Sequence, residues 1–185
     1  MKPFETVRNA NDARDTERVE SQQYFTFFLK DARYGIGIDS VREIREFGGI
    51  CAVPCVPEYL RGVINVRGEI IPVIDLSLRL FGRRTGTSRF TAVAIMEVAG
   101  RGGSSPVGVM VDRVDRVREI DGSGLIPADA GCRTRPDFLK GIVHDGDTFI
   151  TLLDGDRVLD LDEMSETVHA SGGERISREA RAEQC

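Results

Sequence analysis

The chemistry open to this 185-residue chain rests on a short roster of side chains. Four cysteines, Cys51, Cys55, Cys132 and Cys185, could ligate a soft metal or exchange disulfides. The three-residue gap between the first two fits neither a zinc knuckle nor a redox Cys-x-x-Cys pair, so they read as reduced thiols. His144 and His169 lie far apart and read as surface or strand residues. Asp154, Asp156, Asp160 and Asp162 have the spacing that opens a calcium loop, but Val158 and Leu159 stand where a ligand and a glycine are needed. They are turn residues. "GRGGSS", Gly100 to Ser105, lacks the Lys-Ser or Lys-Thr ending of a phosphate-cradling loop and reads as a hairpin tip. "GIG", Gly35 to Gly37, lacks the third glycine and following helix of a dinucleotide fingerprint. No metalloprotease, nucleophile-elbow or Cys-His arrangement occurs, so the expectation is no catalytic residue, no metal and no cofactor.

What remains is recognition. In "EYLRGVINVRGEIIPVIDL", Glu58 to Leu76, two Arg-Gly steps, Arg61-Gly62 and Arg67-Gly68, interrupt an apolar run. A guanidinium is weakly hydrated, forks onto carboxylates and stacks on side chains, so it tolerates partial burial at a contact. The alternative is that both arginines pair with neighbours such as Glu58, Glu69 or Asp75 and hold the fold together. For Arg61 the two readings stay level. For Arg67, in a tight turn, contact use is preferred, because arginine is enriched at interface hot spots.

The elements that must position these residues come in two copies. "RYGIGIDSVREI" (Arg33 to Ile44) has a counterpart in "PVGVMVDRVDRVREI" (Pro106 to Ile120), and "PEYLRGVI" (Pro57 to Ile64) has one in "PDFLKGIV" (Pro136 to Val143). The offset is 76 residues at VREI and 79 at the aromatic-Leu-base-Gly motif, and "YFTFFLKDA" precedes one copy as "FTAVAIMEVAG" precedes the other. Each copy reads as strands rich in β-branched and aromatic residues: Tyr24–Leu29, Ile36–Ile44, Val63–Val66 and Ile70–Asp75, then Thr91–Val98, Val107–Val111, Val114–Ile120, Ile142–His144 and Phe149–Leu153. Gly- and Asp-rich turns separate them. The fold class expected is all-β, with two units of roughly five strands, each too small to hold a core alone and therefore sharing one. Pro72 belongs on an edge or at a bulge. "DLSLRLFG" reads as a helical turn capped by Asp75 and ended by Gly82.

Charge limits the partners. Residues 24–159 carry 18 groups of each sign, against −5 for the whole chain, so the folded part lacks the basic surplus of a nucleic-acid binder. No apolar run approaches the roughly 20 residues of a membrane helix, and the start lacks the apolar centre of a signal peptide, so the expectation is a cytoplasmic protein. Residues 1–22 read as a flexible extension. Residues 163–185 read as an acidic helix or tail, with Leu161, Met164 and Val168 spaced as one apolar stripe and a break at Ser171 to Gly173.

"YLRGVINVRGEIIPVIDLSLRLFG", Tyr59 to Gly82, resembles the signature of the CheW-like domain, and "FTFFLKDARYGIGIDSVREI", "VGVMVDRVDRVREI" and "FLKGIVHDGDTFITLLDGDRVL" resemble its other parts. The resemblance covers about residues 23–162. It implies two five-stranded SH3-like β-barrel subdomains around a joint core, from internal repeats at about 23–82 and 89–161, with short helical pieces and a C-terminal helical tail. It implies a non-catalytic adaptor that joins the cytoplasmic tips of methyl-accepting chemoreceptors to the regulatory domain of the histidine kinase CheA, in arrays where CheW-like domains also meet in rings. No nucleic acid and no membrane insertion would be involved. Val41, Arg61, Gly62 and Arg67 match positions of the family's receptor-binding face, while kinase contacts are not assigned residue by residue. A scaffold of the same family in a pathway of surface motility or second-messenger control is the alternative.

Overall fold

In β1, Gln22–Leu29, alternate residues face two interiors: Phe25, Phe27 and Leu29 are buried in one hydrophobic cluster and Tyr24 in another. Such two-sided burial is what a strand between two packed layers requires. The computed structural model describes residues 21–100, 103–127 and 136–160. Its elements run β1, β2 (Ala32–Gly37), β3 (Val41–Glu46), β4 (Leu60–Val66), β5 (Glu69–Asp75), α1 (Leu76–Phe81), β6 (Ala92–Gly100), β7 (Gly103–Val111), β8 (Arg113–Ile120), β9 (Leu139–Asp145), β10 (Thr148–Leu153) and α2 (Gly155–Val158).

The strands form two five-stranded sheets, ordered β8-β1-β2-β10-β9 and β3-β6-β7-β5-β4. Under the repeat these orders are identical, β3 answering to β8, β6 to β1, β7 to β2, β5 to β10 and β4 to β9. They are the SH3-like subdomains, and their shared core is built from Phe25, Phe27 and Leu29 of one sheet against Ala94, Met96, Val98, Val107, Val109 and Val111 of the other. The repeats and the sheets do not coincide. Each sheet takes a hairpin from one repeat and three strands from the other, because the chain crosses over between β2 and β3 and again between β7 and β8.

That crossover corrects the single strand expected over Ile36–Ile44. A 3-10 turn at Ile38–Ser40, with Ser40 Oγ donating to the Gly37 carbonyl at 2.9 Å, divides it into β2 and β3 in different sheets. Pro72 is a second correction, since it lies in an interior strand. The β5–β7 ladder begins only at Val73, so the missing amide hydrogen leaves no pair in that ladder unmade. The helical turn after β5 forms as expected: the Asp75 carboxylate accepts from the Leu78 amide at 3.1 Å, and Gly82 closes the helix at φ 65°. Asp154 caps α2 in the same way, accepting from the Arg157 amide at 3.2 Å. The expected helix or tail at 163–185 and the extension at 1–22 lie outside the described residues, apart from Ser21 and Gln22.

Candidate functional site

β4 and the strands beside it set out the residues singled out in the sequence. Gly62 is buried at φ 138°, and a β-carbon there would fall 2.1 Å from the carbonyl oxygen of Cys51. The cause is a short bridge in which the Cys51 amide donates to the Val63 carbonyl and the Val63 amide donates to the Cys51 carbonyl, both at 2.8 Å. The repeat builds the same bridge between Ile126 and Ile142, where a β-carbon on Gly141 would meet the Ile126 carbonyl oxygen at 2.6 Å. Both Arg/Lys-Gly glycines therefore seat an upstream segment against the start of a strand. Gly62 acts by letting the backbone approach, and its neighbour Arg61 is the side chain that this approach sets in place. Arg61 is half-buried, and its guanidinium makes no hydrogen bond or ion pair among the described residues.

Arg67 lies at the other end of β4, roughly 17 Å from Gly62 for five extended residues. With Gly68 it forms a two-residue hairpin loop, φ 54° and 92°, between the paired residues Val66 and Glu69. Two successive positive φ values are the type I′ signature, whose twist suits a hairpin. The Asn65 side chain steadies the loop by accepting from the Gly68 amide at 2.8 Å. The Arg67 side chain is 83% exposed and reaches Glu43 of β3 at 2.9 Å, rather than the Glu58, Glu69 or Asp75 weighed from sequence. Glu43 also lies 3.5 Å from Arg45, and Arg42 bridges Glu69 and Glu97 at 3.1 Å each. Exposed pairs of this kind contribute about 0–1 kcal/mol each, so they orient side chains more than they stabilise the fold.

The Arg67–Glu43 and Arg42–Glu69 pairs join the edge strand β3 to the β4–β5 hairpin at the other edge of the same sheet. Between them lies an open groove of about 650 Å³, lined by Glu43, Ile44, Arg45, Glu46, Asn65 and Arg67. Ile44 is 46% exposed and Ile70, on the same hairpin as Arg67, is 61% exposed. An apolar residue beside a hydrogen-bonded charged rim is the anatomy of a protein contact. Val41 opens β3, half-buried against the shared core and paired with Met96. The structure thus brings the β3 segment and Arg67 together through Glu43, and leaves Arg61 and Gly62 at the far end of β4. Sequence reading missed Glu43, Ile44 and Ile70. The charge complementarity of VREI with VRGE was visible, but its partners depend on a register across the sheet edges.

The other candidates resolve simply. Cys51 and Cys55 are free and exposed. His144 sits in β9 with its ring edge-on to Phe149 at 4.9 Å. Among the described residues no three His, Cys, Asp or Glu are grouped to hold a metal ion, and no helix is long and apolar enough to cross a membrane.

Comparison with known proteins adds relatives. Residues 23–163 match the CheW-like domain family. The chain is 30% identical over 140 residues to "Chemotaxis protein CheW" of Treponema pallidum, covering 73% of this chain and 80% of the relative. It is 29% identical over 145 residues to the protein of that name from Klebsiella aerogenes, covering 78% and 85%. It is 32% identical over 123 residues to "Protein FrzA" of Myxococcus xanthus, covering 66% and 74%. The solved scaffolding protein TtCheW of Thermoanaerobacter tengcongensis superposes with a TM-score of 0.67 at 30% identity, covering 75% of this chain and 92% of that one.

Proposed function

The chain belongs to the CheW-like domain family, and from that membership we propose that it is a non-catalytic adaptor coupling transmembrane chemoreceptors to the histidine kinase CheA in signalling arrays. The observation that carries this reading is the match along the whole domain, in sequence over residues 23–163 and in fold to a scaffolding protein. The family is one of chemotaxis scaffold and coupling proteins. Its work is to hold partners together, and a pair of barrels packed on one shared core suits that work.

On this reading Arg61 and Arg67 are the receptor-contacting side chains, Gly62 positions Arg61, and Val41 fixes the β3 edge that carries Glu43. The partners are the cytoplasmic tips of methyl-accepting chemoreceptors, the regulatory domain of CheA and other CheW-like domains in rings. The protein reaches the membrane-associated array through these partners, from the cytoplasmic side.

The test is the phosphorylation rate of a competent kinase with receptors, measured with and without the purified protein. Stimulation that requires the protein supports the reading; an unchanged rate overturns it. The likeness to Protein FrzA favours a second reading, a scaffold for a related kinase in surface motility or second-messenger control. Reconstitution with kinases and receptors of each pathway, scored by which pair the protein activates, separates the two.

A further inference from the structure

The two barrels finish the same interior in opposite ways. In the barrel that holds β8 and β9, Arg118 turns inward, 22% exposed, and closes on Asp145 at 2.6 Å. In the barrel that holds β3 and β4 the counterpart of Arg118 is Arg42, which stays outside at 47% exposure and bridges Glu69 and Glu97. The counterpart of Asp145 is Val66. The place that a guanidinium and a carboxylate take in one barrel is therefore apolar in the other, and a cavity of about 140 Å³ lies there.

Its floor is Val66, Ile71 and Ile95, core residues of this barrel and none more than 7% exposed. Its rim is the two ion pairs Arg42–Glu69 and Arg67–Glu43. The volume is below the roughly 300 Å³ at which sites for drug-sized ligands begin and close to the about 150 Å³ that holds one benzene molecule, so a single large side chain is what fits. An apolar well for an anchor, ringed by side chains that shut water out, is how energetic hot spots of protein contacts are built. The rim yields readily, because exposed ion pairs are weak and burying an aliphatic side chain outweighs opening them. Charge sets what stands beside that side chain. Arg67 is 83% exposed and gives one guanidinium nitrogen to Glu43, and its other N–H donors have no partner among the described residues. A carboxylate next to the incoming aliphatic group meets those donors in a forked pair.

We propose that this cavity is a socket for one leucine, isoleucine or methionine side chain of the chemoreceptor tip, beside which an acidic residue of the tip pairs with Arg67. The proposal rests on the receptor reading of this face and adds what the face holds. Val66, Ile71 and Ile95 select the apolar side chain that enters, and Arg67 selects the charge next to it. The other barrel gives the same place to Arg118 and Asp145, so a receptor contact of this kind is confined to one half of the duplicated fold.

The test uses the full chain and two readings. First, the methyl NMR shifts of Val66, Ile71 and Ile95 are followed as xenon pressure rises. They should move and saturate in the natural sequence and stay still in Val66→Phe, whose ring fills the cavity from its floor. Second, binding to a receptor cytoplasmic fragment and, separately, to the regulatory domain of the kinase is titrated. Val66→Phe should weaken receptor binding roughly tenfold, the loss of one anchor, and leave kinase binding unchanged. If the melting curve shows that Val66→Phe does not fold, Val66→Leu fills less of the cavity and should show a smaller loss of the same kind. Methyl groups that ignore xenon overturn the socket, as does receptor binding that a folded Val66→Phe leaves intact. A loss confined to the kinase domain overturns the receptor as occupant. A natural chain that takes up xenon yet binds no receptor overturns the coupling reading, and the receptor as occupant with it, while the cavity stands.

Discussion

In the sheet β3-β6-β7-β5-β4 the interior away from the shared core is Ile64, Val66, Ile71, Val73, Val93, Ile95 and Met110. In the sheet β8-β1-β2-β10-β9 the matching interior keeps Val143, Ile150, Leu152 and Tyr24. There Asp145 stands in the place of Val66 and Thr26 in that of Ile95. Arg118, counterpart of the exposed Arg42, turns inward to Asp145 at 2.6 Å, and Arg33 bridges Asp145 at 2.9 Å and Asp115 at 3.2 Å. Thr26 donates to the Arg116 carbonyl at 2.6 Å. Duplication has kept strand order and register while letting one interior change its chemistry. Such a change must come as a set, because one unpaired charge in a mostly buried place costs several kcal/mol.

The strongest way to test the equivalence of the two halves is at the bridges they share. Gly62→Val should cost about 3 kcal/mol or more, since the side chain meets a backbone oxygen at a φ that branched residues avoid. Gly141→Val should cost somewhat less, because the Ile126 oxygen would stand at 2.6 Å rather than 2.1 Å and the other close atoms, at 2.6 and 2.9 Å, belong to the Leu125 side chain, which can move, while φ 158° still disfavours a branched residue. Denaturant midpoints with unchanged m-values would measure both. If only one of the pair is harmful, the two bridges do different work and the symmetry argued from them fails.

The interiors themselves are separated by Asp145→Val, which copies the residue of the apolar barrel. It strands Arg118, 22% exposed, and leaves Arg33, 17% exposed, with Asp115 as its one remaining carboxylate among the described residues, so it should cost about 2 kcal/mol, below the 3–5 of a fully buried pair. Glu69→Val, which breaks the pair with the 47% exposed Arg42, should stay within about 0.5 kcal/mol. Equal losses in thermal melts would mean that the inward network is solvated like the outer one. Replacing Arg33, Asp115, Arg118 and Asp145 together by apolar residues should recover most of the loss, because no member of the network is then left without its partner.

A smaller contrast lies at Tyr24, whose counterpart Val93 cannot ionise. Burial pushes the Tyr24 phenol above its ordinary value of 10.0. Its neutral form is therefore favoured in the folded state, and the stability it lends is present below pH 10 and lost as pH rises from there through the folded value. Tyr24→Val should flatten that alkaline loss. A melting curve that falls equally above pH 10 in both proteins would assign the loss to other groups.

Local signals were legible in the sequence and long-range ones were not. The repeat, the strands and the Asp75 to Gly82 turn follow from periodicity and capping, which act over a few residues. The exchange of hairpins between sheets was hidden, because Ile36 to Ile44 alternates as one strand would and nothing local marks Ile38 to Ser40 as a crossing. Arg33, Asp115 and Asp145 are separated by tens of residues and meet only through the ladder order, so their network had no signature. At the candidate site Arg61, Gly62 and Arg67 stood out by type. Glu43, which holds Arg67, sat unremarked in VREI because an edge-to-edge pairing sets it.

The last contrast concerns the two outer hairpins. Arg67 is replaced in the repeat by Gly146, and Glu119, the counterpart of Glu43, accepts instead from Ser21 at 2.6 Å. Only one hairpin therefore carries an arginine at its tip, which is where the proposed receptor face differs from its copy. Arg67→Glu sets like charges side by side at Glu43, yet at 83% exposure water and salt screen them, so stability should change by about 0.5 kcal/mol or less. Coupling of kinase to receptor should weaken about tenfold, the effect of removing a contact arginine and reversing its charge. A melting temperature that falls with the coupling would make Arg67 a fold-holding residue. Coupling that survives intact would move the receptor face away from this hairpin and towards Arg61, whose guanidinium, without an ion pair among the described residues, is then the remaining candidate on β4.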